Sequence, residues 1–306
     1  MQGHGFLAGT EEGGASCHAA LQSAALSTAH SRHILEVVER KIMRPSAACW
    51  RLAPDTPMPL IASDTHATLS LPPGFSVVAL RESGDAFAHA CGKAAEEGAG
   101  TLVWVRRFDV AEFAVVLEPL EPLAQARKAL FMAMNAVGDA ISAHCPPERD
   151  VTFDWPDCIR FDGGLVGGAR IGWPEGCAED AVPDWLVVGA IIRVTFAGLV
   201  EPGQAPKAAA LDDEGFDGLG PATLVESFAR FFLRQVDIWQ NNGFEPIASD
   251  YLARLAKERP GDDRELDGDG DLLTRSIVTS AVRRSSFRSG LEAAAWYDRD
   301  TGAPKL

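Results

Sequence analysis

Apolar and polar positions along the chain fall into a regular pattern from Pro72 onward. "FSVVAL" reads as a short strand. "SGDAFAHACGKAAEEGAG" reads as an Ala-rich helix, with Ser83 or Asp85 as its cap and Gly98 and Gly100 closing it. "TLVWVRR" and "EFAVVLEP" are two apolar strands separated by a few residues around Phe108-Asp109. In "LAQARKALFMAMNAVGDAISAH", Leu123, Ala126, Leu130, Met134, Val137 and Ile141 recur at helical spacing. That predicts one long amphipathic helix covering a sheet face, with Met132 and Met134 as core filler.

A glycine-rich hairpin follows in "FDWPDCIRFDGGLVGGARI". Gly163-Gly164 is expected as its turn, since both residues can take positive φ. Gly167-Gly168 reads as a point of close approach to the strand, and Trp155-Pro156-Asp157 as the hairpin entry. "DWLVVGAIIRVTFAG" is too β-branched for a helix and predicts a buried strand. "PATLVESFARFFLRQVDIWQNNGF" and "PIASDYLARLAKERPG" predict two helices, the first with Pro near its start and Gly243 past its end. The remainder, from Arg264, alternates in short runs and predicts a small β unit. "DGDGD" at Asp267–Asp271 lacks the Gly and Glu that a calcium loop needs at its sixth and twelfth positions, so it reads as a turn.

The elements do not alternate as strand and helix. They predict an α+β fold, a mixed β-sheet flanked by helices, rather than a doubly wound parallel sheet. Three segments are expected: an N-terminal extension over 1–57, a main domain over 58–260, and a small C-terminal β domain over 261–306. Residues 1–57 are rich in Ala, Ser, Gly and His and poor in large apolar residues, with a helix expected near Ala24–Arg40. Met43 or Met58 would serve as a later start.

Composition narrows the function classes. A net charge of −15 disfavours nucleic acid and anionic membrane as partners. No apolar run reaches the length of a membrane-spanning helix. The six cysteines are scattered without a C-x-x-C pair, so neither a zinc site nor a disulfide scaffold is expected, and a reducing cytoplasm fits. No dinucleotide fingerprint or Walker loop is present.

Five stretches, in order, resemble the biotin/lipoate A/B protein ligase family: "VVALRESGDAFAHA", "GTLVWVRR", "WPDCIRFDGGLVGGARI", "WLVVGAIIRV", and "AAALDDEGF" with the closing "FFLRQVDIWQNNGFEPIASDYLARL". The resemblance covers about Pro72 to Glu258. It implies a class II synthetase-like sheet, with the C-terminal unit where biotin protein ligases carry an SH3-like one. It also implies a small carboxylic or acyl ligand, with biotin, lipoate or ATP as the associated small molecules and a carrier protein as possible partner. On this resemblance the ligand-binding candidates are Ser83, Gly84, Arg106, Arg107, Trp155, Asp157, Gly167, Gly168 and Arg193. No catalytic residue and no metal ligand is assigned.

The departures from the family pattern bear on chemistry. The head-group Thr-Asn is Ser83-Gly84. Phe108 stands where the family's adenylate loop begins, and the chain passes directly to the next strand. Leu165 occupies the position of the hairpin lysine, and Arg193 replaces a small Asn. A leucine cannot donate to a phosphate, so the resemblance implies a divergent protein with ATP-dependent ligation impaired or altered. The alternative is a non-catalytic ligand-binding or protein-docking module. Transfer through a cysteine would need Cys158 or Cys177, neither of which has a Lys or His neighbour in sequence to activate it.

Overall fold

The computed structural model describes residues 69–196, 204–257 and 259–306. All of them belong to one compact unit, Pro54–Leu306. The extension over 1–57 and the helix expected near Ala24–Arg40 lie outside the described residues.

A seven-stranded mixed sheet forms the centre, flanked by helices as the pattern predicts. Its strands are β1 (Ser76–Leu80), β2 (Thr101–Val105), β3 (Val110–Leu117), β4 (Val151–Asp154), β5 (Cys158–Phe161), β6 (Gly164–Gly172) and β7 (Leu186–Arg193). Their spatial order is β1-β2-β3-β7-β6-β5-β4. Only β1 and β2 run parallel, because helix α1 (Ala86–Glu97) carries the chain back between them. The other neighbours are antiparallel.

One face of the sheet is covered by α3 (Ala129–Ser142), α4 (Pro221–Asn242) and α5 (Glu245–Arg254). Here the prediction of one long helix over 123–144 needs correction. The helix breaks at Arg127-Lys128, leaving a short α2 (Leu123–Ala126) before α3. Both cations at the break are tied outward: Arg127 Nη1 pairs with Glu179 at 2.7 Å, and Lys128 Nζ donates to Gly268 O at 3.1 Å. Nor is α3 amphipathic. Its residues from Ala129 to Gly138 are all buried, because sheet, α4 and α5 enclose it. Phe131 in its first turn meets Tyr251 and Phe287 at 4.7 Å between ring centroids.

The hairpin turn also sits one residue earlier than expected. Asp162 and Gly163 hold the positive φ values, 46° and 82°. Asp tolerates the left-handed region, so the pair forms the turn and Gly164 opens β6.

Beyond α5 come an antiparallel sheet of β8 (Asp263–Leu266), β9 (Leu272–Arg275) and β10 (Val282–Ser285), and the two-residue strands β11 (Tyr297–Asp298) and β12 (Ala303–Pro304). Between them stands a helix that the alternation did not predict, α6 (Phe287–Ala293). Ser286 caps it through the Ser289 N–H, and its buried Phe287 stacks on Phe131. "DGDGD" forms a turn before β9: Asp267 Oδ1 accepts the N–H of Asp269 and Asp271.

Candidate ligand site on the second face of the sheet

The other face of the sheet is divided. Ala86, Ala90 and Ala94 of α1 pack on Val103, Val105, Ala114, Val116 and Val187. Farther along, Trp296 packs against Val110, Cys158 and Ile191. Three glycines give side chains access to the strand backbones. A Cβ on Gly172 or Gly189 would lie 3.0 Å from the Phe87 ring, and one on Gly168 would lie 2.4 Å from Trp296. The Gly167-Gly168 close approach is real, and two different groups use it. Gly168 meets the chain's own Trp296, while a Cβ on Gly167 would run into Ile191 O at 2.0 Å.

Arg170 rises from β6 between Gly168 and Gly172. Its guanidinium lies 4.7 Å from the Phe87 ring and 4.6 Å from the Tyr297 ring, with Nη2 3.4 Å from Asp85 Oδ1. Its Nε is buried without a hydrogen-bond partner. Such a stacked guanidinium keeps its in-plane donors available, which suits a carboxylate or similar planar acceptor.

Carboxylates already occupy the start of α1. Asp85 caps it, accepting the Ala88 N–H at 2.8 Å. Glu112 accepts the Ala86 N–H at 2.9 Å and lies 3.7 Å from Arg107. Burial raises the Glu112 pKa, with the Ala86 hydrogen bond opposing it. Arg107 itself is held in a two-pronged pair with Asp109, at 2.9 and 2.6 Å. Burial would raise the Asp109 pKa, but the Arg107 hydrogen bonds and charge hold it below the usual range.

The candidates named from sequence therefore separate into groups. Ser83 and Gly84 form the turn into α1, where the Gly84 N–H donates to Arg81 O at 2.9 Å. Arg106 and Arg107 follow directly on β2, where the Arg106 N–H donates to Leu80 O at 3.1 Å. Asp157 is buried beside Trp296, whose indole N–H opposes the effect of burial without meeting hydrogen-bond geometry. Burial pushes the Asp157 pKa up to about 6. Trp155 instead packs into the opposite face, between Phe131 and Phe287.

Arg193 is buried and spends its donors on four backbone carbonyls. Nη1 reaches Leu165 and Ala209 at 3.3 and 3.4 Å; Nη2 reaches Pro304, and Lys305 at 3.1 Å. It fastens β12 to β6 and β7. Leu165 packs with the Trp296 cluster on this same face.

Burial raises the pKa of Cys91 to about 11 and drives that of Cys158 well above the thiol range. Cys177 directs its Sγ to the carbonyls of Ala178 and Ala181. Sequence reasoning did not assign Phe87, Glu112, Arg170, Trp296 or Tyr297 to the site. Glu112 interrupts an otherwise apolar strand and Arg170 stands between glycines, which were visible hints. Nothing local ties Trp296 and Tyr297 to β6.

The model of the biotin/lipoate A/B protein ligase family matches residues 71–253. A biotin–[acetyl-CoA-carboxylase] ligase from Paracoccus denitrificans is 27% identical over 198 residues, covering 64% of this chain and 78% of that protein. A solved biotin protein ligase-like protein of unknown function from a Silicibacter species is 29% identical, with a TM-score of 0.62, covering 73% of this chain and 99% of that one. The apo biotin protein ligase of Aquifex aeolicus shares the fold at 13% identity and a TM-score of 0.55, covering 69% and 95%.

Proposed function

Because the chain belongs to the biotin/lipoate A/B protein ligase family, we propose that it binds a small carboxylic or acyl ligand on the α1 face of its sheet, with ATP-dependent ligation impaired or altered. The ligand would lie between the Ser83-Gly84 turn and the Gly167-Gly168 stretch of β6. Arg170 would present its free donors to the acid, and Trp296 and Tyr297 would wall the site. Arg106 and Arg107 border it at the end of β2. Asp157 and Arg193 support it from below, and Trp155 fixes the hairpin entry from the other face.

The observation that carries this reading is the state of Arg107. In the resemblance, arginines of a loop after β2 cradle phosphates. Here Arg107 is held by Asp109 at 2.9 and 2.6 Å, with the Glu112 carboxylate 3.7 Å away. Asp85 stands nearby, beside Arg170. A triphosphate entering there would meet three carboxylates, and Leu165 offers no donor in the lysine position. Charge stabilisation of a carboxylate attacking an α-phosphate therefore lacks its donors. A carrier protein remains compatible with an acyl ligand.

The test is exchange of labelled pyrophosphate into ATP with biotin, lipoate and fatty acids, run beside thermal shift with the same acids. The expected result is background exchange, with stabilisation by at least one acid. Gly168→Val should abolish that stabilisation by displacing Trp296. Exchange well above background would overturn the impairment of ligation, and stabilisation unchanged in Gly168→Val would overturn the location.

A further inference from the structure

A second opening lies where α5 and the β4–β5 turn face the C-terminal sheet. It is a cavity of about 410 Å³ lined by Trp155, Leu255, Lys257, Arg259, Arg264 and Thr274, with Arg283 alongside. That size suits a small molecule rather than a stretch of polypeptide. The register explains its floor. Arg264 of β8 and Arg283 of β10 both pair with Thr274 of β9, so one row across three strands carries two guanidiniums on either side of a threonine. The Trp155 ring and the side chains of Leu255 and Leu272 supply an apolar wall.

Charge is what sets this cavity apart. The chain carries −15 overall, yet among the described residues the lining holds four cations and two carboxylates, Asp154 and Asp262. Asp154 is paired with Arg160, outside the cavity lining. Asp262 accepts the Ile277 N–H at 3.3 Å. Arg264 donates to the carbonyls of Leu252, Leu255 and Ala256 at 3.0, 2.9 and 3.0 Å, closing the C-terminal end of α5. Lys257 and Arg259 are exposed at the rim and make no hydrogen bond or ion pair among the described residues. Lys257 and Arg259 stand two positions apart at the rim and repel one another, and an anion between them relieves that repulsion.

We propose that this cavity binds a small organic anion, a carboxylate or phosphate ester whose apolar part lies against Trp155 and Leu255. The site is separate from the α1 face and goes beyond the ligase-like reading. Lys257 and Arg259 hold the anionic group, and the Arg264–Thr274–Arg283 row forms the floor beneath it.

Isothermal titration of the full chain at low salt tests this with three probes: phenyl phosphate, benzoate and inorganic phosphate. Phenyl phosphate or benzoate should bind saturably at one site, more tightly than inorganic phosphate, and less tightly as salt is raised. The tighter of the two organic probes identifies the anion class. Lys257→Glu/Arg259→Glu, which alters exposed side chains only, should weaken that binding by roughly tenfold or more, the scale of one lost charged hydrogen bond. Arg170→Gln, on the other face, should leave it unchanged, so failure here and failure of the α1-face site are distinguishable. Binding of neither organic probe would overturn the proposal. So would equal binding of inorganic phosphate, or affinity that survives the double substitution.

Discussion

The two faces of the central sheet are built on different physics. The α3 face is closed with aromatic rings: Phe113 meets Phe228 at 4.3 Å, and Phe131 touches Trp155, Tyr251, Phe244 and Phe287. The α1 face uses alanines and glycines, and into the space they leave it places Glu112, Asp157, Arg170 and Arg193. One face holds the fold together through apolar area. The other takes on the cost of buried polar groups and covers them with residues from the end of the chain, as binding faces do.

The largest test of that contrast is Phe131→Ala. Its ring is fully buried among four others, so loss of contact and the cavity left behind should cost about 3–5 kcal/mol, read from the midpoint of denaturant unfolding. A loss below about 1 kcal/mol would mean that the α3 face can collapse around the gap, and the contrast would fail.

Asp157 sharpens the comparison from the polar face. An unfolded Asp titrates near 3.9, whereas burial raises this one to about 6 in the fold. The folded protein thus holds the proton more tightly. Its contribution is fully present below the unfolded pKa and is lost as pH rises through about 6. Asp157→Asn keeps the neutral form at every pH. Its stability relative to the parent should therefore rise by about 2–3 kcal/mol between about pH 4 and pH 7, measured by denaturant unfolding across that range. A flat difference would mean that Asp157 is solvated in the fold and that Trp296 does not seal it.

The same contrast explains what could be read from sequence. Strands β1, β2, β3 and β7 were legible because their residues are apolar at period two or continuously, and α4 because Pro221 and Gly243 mark its ends. The α3 segment was legible as helix but not in its environment, since helical spacing of apolar residues cannot tell a one-sided helix from an enclosed one. Its break at Arg127-Lys128 depends on Glu179 and Gly268, far along the chain. Helix α6 was hidden in a polar stretch whose only core residue is Phe287.

Legibility ran out sooner in the site. Family resemblance pointed to the Gly167-Gly168 backbone, Ser83-Gly84 and Arg107. It could not show that Arg193 is consumed by the carbonyls of Pro304 and Lys305, or that Trp296 sits over Gly168, because the residues involved are over one hundred positions apart. Local pattern encodes the face that packs on aromatic rings; pairing across the chain decides the polar face.

The smallest expected effect concerns Asp85, which serves both sides of that distinction. It caps α1 at 2.8 Å from the Ala88 N–H, and it lies 3.4 Å from Arg170. Asp85→Ala removes both contacts and should cost about 1 kcal/mol, the usual worth of a helix cap. Asp85→Ser keeps a cap oxygen but removes the carboxylate beside Arg170. A pair at 3.4 Å whose Asp85 side is 43% exposed contributes little, so Ser should recover most of the loss in thermal unfolding. Recovery would leave Arg170 as a cation held by Phe87 and Tyr297 and open to an acidic ligand. If Ser is as damaging as Ala, the pair itself carries stability. Arg170 is then committed to Asp85, and the α1 face is as closed as the other.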